Sequence, residues 1–300
     1  MRSRPVVSVS RRQFLVGSGA AAGAVLLGAC GGEESGGGDE PPTTPATGGL
    51  ALVQFFGGLP MLVAGAEVRT PFGVADAEGL LPADRTPEEL TVTILGPDGA
   101  TVVEPVDVLR HAEGLPNGYY PLRFTVERPG IYTGRTEVDG EAVEMAIKVD
   151  AAADVTVIQV GAMLPALVTP TTGDAQGVDP ICTNDPACSL HDVSVADALA
   201  EARPIALLVA TPAFCQIAIC GPVLDVLLGV ADDHPEVRFL HAEVYANPQQ
   251  DLDVKTPVVD GLGLTFEPCL VLVGSDGRVV DRLDTIYDAQ ELSEALARLD

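Results

Sequence analysis

Residues 204–210, PIALLVA, form a wholly apolar run that leaves no face for water, and such a run reads as a buried strand. The helical stretch CGPVLDVLLGVAD (220–232) follows, and then a second strand, VRFLHAEVY (237–245). A helix joining two such strands makes a parallel pair with a right-handed crossover. Farther on, PCLVLVGS and RVVDRLD form a hairpin turned at Ser275-Asp276-Gly277, and DAQELSEALARL is a closing helix. With the helix SVADALAEA (194–202) in front, residues 194–300 read as a βαβ unit followed by a ββα unit.

The preceding part of the chain carries a different pattern. ELTVTILGPDGATVVEPVDVL alternates apolar and polar residues on both sides of Pro97-Asp98-Gly99, a hairpin signature. YYPLRFTVERPGIYTGRTEVDGEAVEMAIKVD holds three more short strands, broken at Arg128-Pro129-Gly130 and Asp139-Gly140. Short strands at this spacing without a helix predict a β-sandwich over residues 50–150. GYYPLRFTVERPGIY within it resembles the immunoglobulin-like modules of bacterial surface proteins. No catalytic cluster is visible there, and His111 reads as a solvated loop residue. Between the two regions, residues 151–193 form an irregular connector, in which ADVTVIQVG is the one candidate strand.

The N-terminus is an address label. Ser10-Arg11-Arg12-Gln13-Phe14-Leu15 is a twin-arginine pattern, and the apolar segment to Ala29 is too short for a comfortable membrane span. Leu27-Gly28-Ala29-Cys30 resembles the lipobox of bacterial lipoproteins, which implies cleavage after residue 29 and acylation of the Cys30 sulfur. Residues 30–49, rich in Gly, Pro, Thr and acids, read as a disordered tether. The expected location is the extracytoplasmic face of the cell membrane, where disulfides persist. Acidity excludes other partners: 43 acidic against 17 basic residues give a net charge of −26. Nucleic-acid binding needs a basic footprint, so it is excluded, as is adhesion to anionic lipid by charge alone. There is no Trp, so no stacking platform for sugars or bases is expected.

Cysteines carry the chemistry. TPAFCQIAICGP (211–222) places Cys215 and Cys220 at the strand-to-helix junction, with four residues between them. RPIALLVATPAFCQIAICGPVLDVLLGV resembles the first strand, active-site turn and kinked helix of the thioredoxin-like superfamily. FEPCLVLVGSDGRVVDRL resembles that family's cis-proline loop and terminal hairpin. The similarity covers residues 194–299 and is greatest to extracytoplasmic, membrane-anchored thiol–disulfide oxidoreductases. It implies that Cys215 is the attacking thiol at a helix N-terminus, that Cys220 is the resolving thiol, and that Pro268 is the cis-proline facing them. Pro222 would kink the helix, and Glu267 would either shuttle a proton beside the sulfurs or stand as a solvated loop acid. The chain departs from the family where Ala218 replaces the second cysteine of a two-residue spacing and where "IALLVA" lacks the buried acid. Cys269 reads as an inert core thiol.

The order of residues is also similar to Q-type peroxiredoxins. Pro212 replaces the hydroxyl residue expected three places before the reactive cysteine, and LTFEPC lacks the expected arginine.

Cys182 and Cys188, in PICTNDPACSLH, read as a local structural disulfide in an exported protein. A metal site with His191 is the alternative, and it lacks a fourth ligand. A copper metallochaperone using Cys215, Cys220 and His234 or His241 is conceivable as well. The functional expectation is a lipid-anchored thiol–disulfide oxidoreductase acting on exported protein thiols. It needs no organic cofactor or metal and exchanges electrons with a membrane redox partner. The alternative is a non-catalytic binding or scaffold lipoprotein in which both cysteine pairs are structural.

Overall fold

Along residues 141–149, every second side chain from Val143 to Val149 is buried and those between are exposed, the two-residue period of a strand with one wet face. The computed structural model describes residues 49–55, 57–115, 117–215 and 218–299. The signal segment, Cys30 and all of the expected tether except Gly49 lie outside the described residues. Strands β1 (Ala51–Gln54), β2 (Glu67–Asp76), β3 (Gly79–Leu80) and β6 (Tyr120–Thr125) form one sheet, in which β2 pairs with the other three. Strands β4 (Glu89–Leu95), β5 (Thr101–Leu109), β7 (Gly130–Val138) and β8 (Glu141–Val149) form a second, in the order β5–β4–β7–β8. Val68, Phe72, Leu122 and Phe124 of the first sheet share an apolar core with Val92, Ile94, Tyr132 and Ile147 of the second.

The C-terminal region builds a third sheet, in the order β10–β9–β13–β14, from β9 (Ile205–Val209), β10 (Arg238–Ala242), β13 (Cys269–Val273) and β14 (Val279–Asp284). β9 and β10 are parallel, while β13 runs antiparallel to both β9 and β14. Every residue of β9 and β13 is buried, because both faces of the sheet are covered. Ala206, Leu208, Leu270 and Leu272 pack on one face against Leu224 and Leu227 of α2 (Cys220–Ala231) and Leu292 of α4 (Ala289–Leu296). Ile205, Leu207 and Val271 pack on the other with Val195 and Ala198 of α1 (Val195–Ala200) and Val258 and Leu262 of α3 (Pro257–Leu262). A small ladder of β11 (Tyr245–Asn247) and β12 (Asp251–Lys255) lies between β10 and α3.

Three elements differ from expectation. Residues 153–161 form no strand: Ile158 donates to Leu262 and Gly161 to Val279, so their backbone is satisfied by scattered partners rather than one ladder. The connector passes so close to the end of α3 that a Cβ on Gly263, whose φ is +63°, would meet the Thr156 carbonyl oxygen at 2.2 Å. The second parallel strand stops at Ala242 instead of running to Tyr245. Helix α2 starts at Cys220, so Pro222 falls in its first turn, where no intrahelical acceptor awaits an N–H; the expected kink is not required.

The described residues belong to one compact unit, where the sequence predicts two folded regions. The N-terminal strands and the C-terminal sheet share an apolar core and are also joined by a buried polar cluster. Arg69 of β2 is 6% exposed. Its guanidinium clasps the Glu291 carboxylate at 2.6 and 2.7 Å and donates to the Asp284 and Ile286 carbonyls. The Tyr119 hydroxyl donates to Glu291 at 2.6 Å and accepts from the Asp288 N–H. His111 is buried against the Asp288 carboxylate at 2.8 Å rather than solvated. Burial disfavours the imidazolium, but the carboxylate outweighs it, and the His111 pKa is raised. Among the described residues no helix is long and apolar enough to cross a membrane.

Candidate functional site

β9 runs out at Val209, and Ala210 and Thr211 lead into a single 3₁₀ turn, Pro212–Phe214, that ends at Cys215. Ala218 then takes a left-handed conformation, φ +55°, before α2 begins. Cys215 and Cys220 are joined by a disulfide with a Cα separation of 5.9 Å, within the ordinary range for such a bond. Cys220, and not Cys215, occupies the first helical position. The helix end still acts on Cys215, because the Cys220 N–H donates to the Cys215 sulfur at 3.4 Å.

The two sulfurs have different surroundings. Cys215 is half-buried, whereas Cys220 has no exposed surface. The Cys220 sulfur lies 3.8 Å from the Glu267 carboxylate. Glu267 is 8% exposed, which removes it from the class of solvated loop acids. Burial pushes its carboxyl up to about 7, against hydrogen bonds from Thr211 that favour the charged form. The Glu267–Pro268 peptide bond is cis, and Pro268 is buried. A cleft of about 140 Å³ opens beside Glu267, lined also by Val244, Tyr245, Lys255 and Leu264. Cys269 is buried at the start of β13, 3.4 Å from Asp284. Burial raises its thiol pKa well above the usual value, so it is held as an unreactive thiol.

Cys182 and Cys188 contradict the expected disulfide. They are two unbonded thiols with sulfurs 3.8 Å apart. The connector carrying them is bonded to the edge of the third sheet, where the His241 N–H donates to the Leu190 carbonyl. His241, on β10, points Nδ1 at both sulfurs, 3.4 Å from Cys188 and 3.8 Å from Cys182. His191 completes the group, with its ring 4.7 Å from that of His241. One ligand atom from each of the four residues lies within 4.8 Å of the others. The sequence offered no fourth partner because His241 is remote in the chain and reads only as a strand residue. It also does not join Cys215 and Cys220 in a copper site, since its ring faces the other pair.

A polar chain links the two pairs. Glu243 is buried and accepts from the Thr183 N–H at 2.6 Å and its hydroxyl at 3.2 Å. Burial pushes the Glu243 carboxyl up to about 8. The Thr183 hydroxyl in turn accepts from the N–H of Ala213, in the turn before Cys215.

The model of the twin-arginine translocation pathway signal sequence matches residues 8–28. The chain carries an export signal. No curated protein matches it significantly. Among solved structures, the exported chain is similar to MTB dsbF in its mixed oxidized and reduced forms: 23% identity over 37% of this chain and 89% of that one, TM-score 0.29. It is also similar to the CARDB domain of the PF1109 protein from Pyrococcus furiosus in complex with di-metal ions: 11% identity over 37% of this chain and 99% of that one, TM-score 0.20. At such TM-scores neither similarity bears on what the exported chain does.

Proposed function

We propose that this exported protein is a thiol–disulfide oxidoreductase acting on the cysteines of other exported proteins, held at the membrane by acylation of Cys30. In this reading the C-terminal region is a thioredoxin-like fold and the N-terminal strands an immunoglobulin-like sandwich. The observation that carries it is the asymmetry of the Cys215–Cys220 pair: a half-buried sulfur receiving a helix N-terminal N–H, and a buried sulfur beside a carboxyl whose pKa is near 7. An N–H donor stabilises a thiolate on Cys215, and a carboxyl near neutrality can take or give the proton of Cys220.

In the reducing direction the Cys215 thiolate attacks one sulfur of a substrate disulfide, and the other substrate sulfur leaves as a thiolate. Cys220 passes its proton to Glu267 and attacks the Cys215 sulfur of the mixed disulfide. The substrate departs with both cysteines reduced, and the Cys215–Cys220 bond is formed. The oxidising direction reverses each step. A membrane redox partner restores the starting state. The cleft beside Glu267 gives an incoming chain a place to lie.

Trapping tests the assignment. The Cys220→Ser protein is expected to accumulate a mixed disulfide through Cys215 when given a disulfide-bonded peptide, whereas Cys215→Ser traps nothing. If neither variant forms an adduct, the binding or scaffold reading replaces this one.

A further inference from the structure

We propose that Cys182, Cys188, His191 and His241 form a structural zinc(II) site. A tetrahedral zinc ion with bonds of about 2.3 Å to sulfur and about 2.0–2.1 Å to nitrogen requires sulfur–sulfur edges near 3.8 Å and sulfur–nitrogen edges near 3.5 Å. The protein holds the two sulfurs 3.8 Å apart and the His241 Nδ1 3.4 and 3.8 Å from them. A disulfide needs about 2.05 Å between the sulfurs.

The side chains are prepared as ligands in three ways. His241 Nε2 is 3.0 Å from the Ala210 carbonyl, so that nitrogen carries the proton and Nδ1 keeps its lone pair toward the sulfurs. His191 is 2% exposed, and its Nε2 has no hydrogen-bond partner. The Cys182 sulfur also accepts the Cys188 N–H at 3.4 Å, a contact common to thiolate ligands.

Two thiolates and two imidazoles in tetrahedral array select zinc among common divalent ions. Four protein ligands and little exposure make the site closed rather than catalytic. Binding releases one proton from each cysteine and involves no electron transfer. Its consequence is mechanical: the ion fastens the connector to β10, next to Ala210, where β9 gives way to the turn carrying Cys215.

The inference does not rest on thiol exchange, and a Cys215→Ser control separates the two. The exported protein purified without added metal is analysed by inductively coupled plasma and native mass spectrometry, with cobalt(II) as the spectroscopic probe after zinc removal. One zinc per chain is expected in the wild type and in Cys215→Ser. Cobalt is expected to give visible bands of tetrahedral thiolate coordination. His241→Ala and Cys182→Ser are expected to weaken zinc binding at least tenfold. Because such variants can fail to fold, the wild type is also alkylated in its native state: Cys182 and Cys188 should resist until a chelator is added. A Cys182–Cys188 disulfide in zinc-free folded protein overturns the proposal. So does retention of copper in place of zinc, or full zinc stoichiometry in a His191→Ala/His241→Ala double variant.

Discussion

The two cysteine pairs lie at opposite ends of one polar chain, and they differ in what surrounds their sulfurs. Cys215 and Cys220 face a helix N-terminus and a carboxyl, and they are bonded to each other. Cys182 and Cys188 face two imidazoles, and they are not. Sequence spacing hardly separates the pairs, since four residues intervene in one and five in the other. The lesson is that neighbours decide the chemistry of a thiol pair. A donor N–H and a proton acceptor suit exchange, whereas lone pairs converging on one point suit a cation.

The largest effect belongs to Cys215→Ser, for which disulfide exchange is expected to fall to background with one zinc retained. A loss of both would mean that the pairs form a single site. Next in size is Arg69→Ala, which takes from buried Glu291 the guanidinium that clasps it. It should cost about 3–5 kcal/mol in chemical denaturation, and it tells how far cysteine phenotypes can arise from instability alone.

Glu267→Gln sharpens the contrast within the exchanging pair. Exchange at pH 7 is expected to drop about a hundredfold, the low end for losing a general acid–base group, with no change at Cys182 and Cys188. The pH profile should lose its inflection near 7. The stability of the same variant has a definite sign. Glu267 holds its proton up to about pH 7 in the fold but only to about 4.5 when unfolded. The stability contributed by Glu267 therefore declines between those values as pH rises, and this component should be absent in Glu267→Gln. The smallest effect belongs to Thr183→Ala, which removes the hydroxyl bridging Ala213 and Glu243. A loss of about 0.5–1.5 kcal/mol is expected, and a null result would show that the pairs are mechanically independent.

Local signals in the sequence were readable where one stretch of chain determines the outcome. The hairpins at Asp98-Gly99 and Asp276-Gly277 depend on glycines at φ +78° and +81°, and an all-apolar run such as 205–209 has nowhere to go but a covered sheet. The proximity of Cys215 to Cys220 follows from their short separation. Partners chosen across the fold were not readable. His111 looked solvated because Asp288, its partner, is 177 residues away. Glu267 and His241 owe their roles to what β9 and the connector bring against them, and periodicity reports burial without naming neighbours. The start of α2 at Cys220 is legible in CGPVLDVLLGVAD, but the kink expected at Pro222 is not required, because proline also fits a helix's first turn.

The most direct test of the account is a redox titration of the exported protein in glutathione buffers, with alkylation and mass spectrometry to report each cysteine. The account expects Cys215 and Cys220 to titrate together above about −250 mV, in the band of exchange catalysts, while Cys182 and Cys188 remain a zinc-protected, chelator-released pair of thiols. A Cys215–Cys220 bond that stays oxidised below about −300 mV, as structural disulfides do, would contradict it.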